Sequence, residues 1–254
     1  MHYELCIKYR TFALGYSIYM SQAYFRFRQF CVWHDRCAMK VGTDGVLLGA
    51  WTDMTGCRRI LDIGSGSGLI ALMAAQKVPT AQVTGIEIDK EAVRQSIQNV
   101  ENSPFSSRIK VLHQDVNTYL PECSFDCIVC NPPFYTESVL PPDASRLLAR
   151  NTASLSFGNL IQCVKKILTS DGTFSVVLPY ASASDFIGLC LLSELFLIRR
   201  CDVSTVDGKA PKRTLLSFSG DSSRSAERET LVLHTRDNQR TDAYQQLTKD
   251  FYLP

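Results

Sequence analysis

The sequence predicts an α/β fold: a mostly parallel sheet with helices on both faces, ending in an antiparallel C-terminal hairpin. Three observations predict it. From Arg58 onward, short apolar runs alternate with stretches of helical composition, the pattern of a parallel sheet wrapped by helices. The first of these runs ends in a glycine-rich turn, Gly64-Ser65-Gly66-Ser67-Gly68. The last two runs are joined by a turn too short for a parallel crossover, which takes about a dozen residues or more, so they pair as a hairpin.

The elements follow in order. Arg59–Ile63 is an apolar run before the glycine turn and reads as a buried strand. Gly68–Lys77 is rich in Ala, Leu and Met, strong helix formers. Ala81–Ile88 is a second strand, Lys90–Glu101 a second helix and Ile109–His113 a third strand. Phe125–Cys130 is a fourth strand, stopped by Asn131-Pro132-Pro133. Leu155–Leu168 is helical, Thr173–Leu178 is a strand after the Asp171-Gly172 turn, and Ser182–Leu195 is a further helix. Leu197–Val206 and Arg213–Ser219 form the hairpin. Ser219–Arg228 is polar and reads as a loop, Leu231–His234 as a short edge strand and Thr241–Phe251 as a terminal helix.

A chain of 254 residues fits one large domain or a domain with a small appendage. Residues 58–254 are expected to form the α/β domain and residues 20–57 an N-terminal extension beside its site. Residues 1–19 read as an extra segment, a disordered lead-in upstream of a second start at Met20 or else an N-terminal helix packed on the domain. At 45% hydrophobic and 20% charged residues the chain can bury a full core. Its net charge of +2 excludes a globally basic nucleic-acid binder, so any such contact comes from local patches. The apolar stretch from Thr11 to Phe25 is too short to span a membrane and lacks a cleavage pattern. The ten cysteines form no spaced framework and read as the reduced thiols of a cytoplasmic protein. Cys127 and Cys130 are spaced C-x-x-C but sit in a strand, where positions three apart face opposite sides. They read as small buried hydrophobes, and no metal is expected.

The glycine turn and the strand after it form one end of a candidate site. Glycine takes positive φ and lets a ligand approach the backbone, and the helix that follows points free N–H groups at the turn. A dinucleotide fingerprint wants Gly or Ala where this chain has Leu69, and the glycines fall instead at 64, 66 and 68. Glu87 ends the next strand, where a carboxylate can accept both hydroxyls of a ribose. The Asp62-x-Gly64-x-Gly66-x-Gly68 run followed by Glu87 resembles the cofactor motif of the Rossmann-like methyltransferases. The resemblance implies S-adenosylmethionine as cofactor, with its methionine part along the glycine loop, its ribose on Glu87 and its adenine beside Asp115.

Asn131-Pro132-Pro133-Phe134 is the most specific feature. Ligands of open α/β sheets sit beyond the carboxyl ends of the strands, so this motif faces the same crevice. The prolines stiffen the loop. An exocyclic amine of adenine is a poor nucleophile because its lone pair is delocalised into the ring. The Asn131 side-chain oxygen can accept one of its protons and the Pro132 carbonyl the other. Together they stabilise the charge that grows on nitrogen, while Phe134 stacks on the base. No covalent intermediate is required, and positioning supplies most of the rate.

The segment from Gln29-Phe30 through His34-Asp35-Arg36-Cys37-Ala38-Met39-Lys40-Val41-Gly42-Thr43-Asp44-Gly45, the Asn-Pro-Pro-Phe box, Ala149-Arg150, Val177-Leu178-Pro179, Arg213-x-Leu-Leu-x-Phe and the ending Leu247-Thr248-x-x-Phe251-Tyr252-Leu253 resemble the bacterial N6-adenine methyltransferases that act on valine tRNA. The resemblance covers residues 21–253. It implies the seven-stranded methyltransferase fold and methylation of the adenine just 3′ of the anticodon, adenine 37. The family's usual Tyr in the box is Phe134 here, which keeps the ring. The resemblance also sets Thr43 and Asp44 near the cofactor's methionine end; the other reading makes one of them a helix N-cap.

RNA contact is expected from three basic clusters: the aromatic-rich stretch of residues 1–40, Arg146 and Arg150 after the box, and Lys209, Lys212 and Arg213 in the hairpin. Rival readings are the same box acting on rRNA guanine, DNA adenine or a protein glutamine. A nicotinamide oxidoreductase is disfavoured by Leu69 and the box. A non-catalytic RNA-binding module is disfavoured by the intact Asn131 and glycine loop. Oligomeric state is not legible.

Overall fold

The computed structural model describes residues 23–37, 39–133 and 155–253. A short hairpin, β1 (Tyr24–Arg26) and β2 (Cys31–Trp33), precedes helix α1 (Thr43–Trp51). Then come β3 (Arg59–Ile63), α2 (Leu69–Lys77), β4 (Gln82–Glu87), α3 (Lys90–Glu101), β5 (Ile109–His113) and β6 (Phe125–Cys130). The C-terminal half adds α4 (Phe157–Ile167), β7 (Leu168–Pro179), α5 (Ala183–Leu192), β8 (Phe196–Val206), β9 (Arg213–Ser219), β10 (Glu227–His234) and α6 (Asp242–Thr248).

Strands β3 to β10 make one sheet in the order β10-β8-β9-β7-β6-β3-β4-β5. Pairings from β7 through β6, β3 and β4 to β5 are parallel. Strand β9 is antiparallel to both β7 and β8, the hairpin the short turn predicted. Strand β10, parallel to β8 at the sheet edge, contains the edge strand expected at Leu231–His234 and makes eight strands where the resemblance implies seven. It begins at Glu227, inside the segment read as a loop, because alternation there separates charged side chains onto two faces rather than apolar from polar ones. The β1–β2 hairpin was not foreseen either. Its strands are three residues each, too short to show a period.

Two cores lie on opposite faces of the sheet. One joins α1, α2, the β1–β2 hairpin and the C-terminus, with Phe27, Phe30, Leu47, Met73, Tyr244 and Phe251 all buried. The other lies under α4 and α5 and is built on Phe174, Phe186 and Phe218, each fully enclosed. Enclosing one such ring stabilises the fold by about 1.5–3 kcal/mol. Phe25, Phe27 and Phe30 pack on one another, and Phe25 and Phe27 on Tyr252, so these aromatics of the basic N-terminal stretch belong to the core. Arg28 N–H donates to the Phe251 carbonyl at 2.8 Å, fastening the hairpin to the chain's other end.

Helices α1 and α2 lie against each other where Gly49 meets Met73; a methyl at Gly49 would sit 2.8 Å from its sulfur. At the far end of the pair, Lys77 Nζ donates to the Ala50 and Thr52 carbonyls at 2.7 and 2.5 Å. Both helices therefore start near the carboxyl end of the sheet and are tied at the other. Helix α6 starts one residue later than expected because the Thr241 hydroxyl caps it, accepting Tyr244 N–H at 3.2 Å. Among the described residues no helix is long and apolar enough to cross a membrane.

Candidate active site

The glycine turn links β3 to α2 with Gly64, Gly66 and Gly68 at φ of 69°, 53° and 81°. Only glycine adopts these values without strain. Gly64 and Ser65 donate backbone N–H to the Ile86 carbonyl at 2.9 and 3.0 Å, anchoring the turn to β4. A Cβ on Gly64 would meet nothing within 4 Å among the described residues, whereas one on Gly68 would strike the Ser96 hydroxyl at 2.5 Å. Gly64 therefore borders open space and Gly68 packs on α3. Asn99 of α3 ties the turn to the N-terminal hairpin, donating to the Ser67 and Trp33 carbonyls at 2.8 Å each.

Asp62 lies under the turn, buried. Its Oδ2 accepts the Ser65 hydroxyl at 2.8 Å and Ala71 N–H at 3.2 Å. Its Oδ1 is enclosed with no hydrogen-bond partner among the described residues. Burial pushes its pKa up to about 7, against the two hydrogen bonds, and the Glu87 charge adds to the rise. Glu87 is held firmly: Oε2 accepts Gly66 N–H at 2.9 Å, and Oε1 accepts Ile88 and Asp89 N–H at 2.9 Å each. Asp115 ends the connection after β5, where its Oδ1 accepts the backbone and side-chain N–H of Asn117 at 2.9 and 2.8 Å.

Asn131 follows the last residue of β6, and its Oδ1 is buried without a partner among the described residues. Pro132 is buried and Pro133 exposed. Phe134, Arg146 and Arg150 lie outside the described residues. Gly45, near the start of α1, lets that helix approach: a methyl there would lie 3.1 Å from Leu69 and 3.8 Å from the Asn131 amide nitrogen. Gly45 was missed in the sequence, although a glycine inside a helix calls for a packing reason.

Neither Thr43 nor Asp44 caps α1. The N-cap is Gly42, without a side-chain hydrogen bond. Asp44 instead accepts Arg213 Nε–H at 2.8 Å. The site thus joins a residue expected at the cofactor to one expected at RNA. Lys209 and Lys212 are exposed in the β8–β9 turn. That turn lies at the same end of the sheet as Asn131, since Pro179 at the end of β7 pairs with Arg213. Cys127 and Cys130 are buried in β6, and burial, with the Asp62 and Glu87 charges, holds the Cys130 thiol protonated. A cleft of about 1150 Å³ opens at the opposite end of the sheet, lined by Arg58, Asp126, Thr173 and Arg199 among others. It includes neither the glycine turn nor Asn131.

The chain is similar to known proteins on three levels. The family model of the methyltransferase small domain matches residues 42–184. A tRNA1(Val) (adenine(37)-N6)-methyltransferase of Bacteroides fragilis is 44% identical over 237 residues, 92% of this chain and 99% of the relative. One of Mannheimia succiniciproducens is 43% identical over 90% of this chain and 94% of its own length. In three dimensions, the crystal structure of a predicted O-methyltransferase from Agrobacterium tumefaciens superposes with a TM-score of 0.66 at 22% identity, covering 82% of this chain and 96% of that one, a likeness of fold. On the first two levels, the chain belongs to the tRNA1(Val) (adenine(37)-N6)-methyltransferase family within the methyltransferase small-domain group.

Proposed function

We propose that this protein transfers a methyl group from S-adenosylmethionine to the exocyclic N6 of an adenine in tRNA, adenine 37 beside the anticodon of tRNA1(Val). The observation that carries this is the buried Oδ1 of Asn131 beyond the glycine turn, which has no hydrogen-bond partner among the described residues. A buried acceptor without a donor costs about 1–3 kcal/mol. An amine proton arriving there removes that cost and is fixed in direction.

The residues around the turn fit the cofactor. The space that the described residues leave at Gly64 admits a ligand to the backbone, and Asp62 Oδ1, without a partner among them, suits the α-ammonium of a methionine moiety. Glu87 has one lone pair of Oε2 left beside Gly66 N–H, so it takes one ribose hydroxyl directly and a second by displacing a backbone donor. Asp115 would face the adenine with the oxygen not spent on Asn117. When bound, the cofactor supplies an electrophilic methyl group on a sulfonium.

The chain's own part is positioning and charge. Asn131 accepts one N6 proton and the Pro132 carbonyl the other, drawing the lone pair out of conjugation and toward the methyl group. Both acceptors stabilise the positive charge developing on N6, and Phe134 stacks on the base. The base must leave its stack to enter, at a cost of a few kcal/mol that is least in a loop. Arg213 holds Asp44, the residue before Gly45, and Lys209 and Lys212 offer phosphate contacts. Incubation with labelled cofactor and total RNA, DNA and protein in parallel tests the reading. Label should enter tRNA and map to N6 of one anticodon-loop adenine; label confined to rRNA, DNA or protein overturns the substrate.

A further inference from the structure

Strand β10 widens the sheet beyond the reach of α5, and the two faces of that added edge differ in charge. Register fixes which residues share a face. Glu227 pairs with Arg199 and Glu229 with Cys201, and Cys201 belongs to the core under α1. On that face Arg199 bonds Glu229 at 2.8 Å and lies over the Trp51 ring, so acid and base cancel. Arg228 pairs with Arg200 and Thr230 with Asp202, and Arg200 pairs with Leu216 of the opposite core. On this second face the acid Asp202 is already held by Arg200 Nε and the Thr214 hydroxyl, both at 2.9 Å. Arg228 and Thr230 are exposed. Helix α6 packs on the first face, with Tyr244 beside Leu231 and Leu233.

An aromatic ring stands at the top of this second face. Tyr180, just past the end of β7, is 42% exposed. Its backbone N–H donates to the Lys212 carbonyl at 3.1 Å, and the Arg200 guanidinium lies 5.6 Å from its ring centre. Lys209 and Lys212 stand in the adjoining turn. Among the described residues, Lys209, Lys212 and Arg228 make no ion pair. Asn131 lies one residue past Cys130, the partner of Val176, so Tyr180 sits about three residues further along the neighbouring strand. Unpaired cations beside an exposed ring suit a polyanion with stackable bases.

We propose that the exposed edge of β10 at Arg228 and Thr230, with Tyr180 and the β8–β9 turn, is the docking surface for single-stranded or loop RNA leading to Asn131. Lys209, Lys212 and Arg228 contact phosphates, and Tyr180, braced by Arg200, stacks on a base flanking the target. This rests on the reading of the substrate as tRNA.

The test is binding of an unmodified tRNA transcript, read by fluorescence anisotropy across a salt series without methyl transfer. Replacing Lys209→Gln, Lys212→Gln and Arg228→Gln together should weaken binding at least about tenfold and flatten the log–log salt slope by about two to three units. The triple Lys110→Gln, Lys166→Gln, Lys249→Gln, exposed elsewhere, should change neither. Tyr180→Ala should cost about tenfold, with Tyr180→Phe restoring it. Equal losses in the two triples, an unchanged slope in the first, or no tRNA binding by the parent protein would overturn the surface. A parent protein that binds tRNA through these residues yet methylates no adenine would instead overturn the proposed reaction and leave the surface standing.

Discussion

Glu87 and Asn131 end the two strands that flank β3, and their polar atoms are in opposite states. Glu87 accepts three backbone N–H groups; Asn131 Oδ1 accepts none among the described residues. The first is a carboxylate fixed before any ligand arrives, so a bound ribose meets a rigid partner. The second, on the proposed function, offers its acceptor to the reacting amine. On the proposed function, binding and chemistry are divided between strand ends on either side of β3, and substitutions should separate them.

The largest effect is expected at Asn131. Asn131→Ala should lower single-turnover methyl transfer to unmodified tRNA about a hundredfold to a thousandfold, with cofactor affinity by calorimetry unchanged. Asn131→Asp, which keeps an acceptor, should retain more activity than the Ala variant. Full activity in Asn131→Ala would sink the mechanism.

Glu87→Ala should do the reverse. Three backbone donors lose their acceptor together with the ribose, so cofactor affinity should fall about tenfold or more, and stability by about 1–3 kcal/mol. Calorimetric Kd and a melting curve measure the two. Unchanged affinity would remove Glu87 from the cofactor site.

Asp62 sharpens the contrast from within the cofactor half. Its folded pKa, about 7, lies above the ordinary carboxylate value. Its contribution to stability is therefore full at pH below the unfolded value and is lost as pH rises through about 7. An ammonium placed at Oδ1 would pull the pKa back down and expel the proton. Cofactor binding at about pH 6 should thus release up to about one proton, falling toward zero near pH 8. Calorimetry in buffers of different ionisation enthalpy reads this. Equal release in Asp62→Asn would assign the proton elsewhere.

The smallest effect concerns Asp44 and Arg213. Their side chains are 28% and 38% exposed, so the pair is worth no more than about 1 kcal/mol. A double-mutant cycle with Asp44→Asn and Arg213→Gln should show coupling in kcat of a few fold and little change in cofactor Kd. A large loss of cofactor affinity in Asp44→Asn alone would place Asp44 on the cofactor instead.

Much of this was legible in the chain because the signals are local. The strands at Arg59–Ile63, Ile109–His113 and Phe125–Cys130 end where their apolar runs end, and the glycine turn lies where its composition puts it. What escaped depends on long-range contact. Asp44 and Arg213 are 169 positions apart, and neither advertises the other. The N-terminal aromatics look like a base-stacking surface until Tyr252, at the far end of the chain, packs on them. Strand β7 begins at Leu168, before the Asp171-Gly172 step that reads as a turn.

The Lys77 tie between the ends of α1 and α2 bears on how the crevice moves. With both helices pinned at one end and Gly49 seated on Met73, they are expected to pivot together and to keep the gap between their starts, at Gly45 and Leu69, beside Asn131. Amide protons of the two helices should then exchange with solvent as a single unit, at one opening rate. Lys77→Met, which keeps the stem but removes the donors, should split that rate in two.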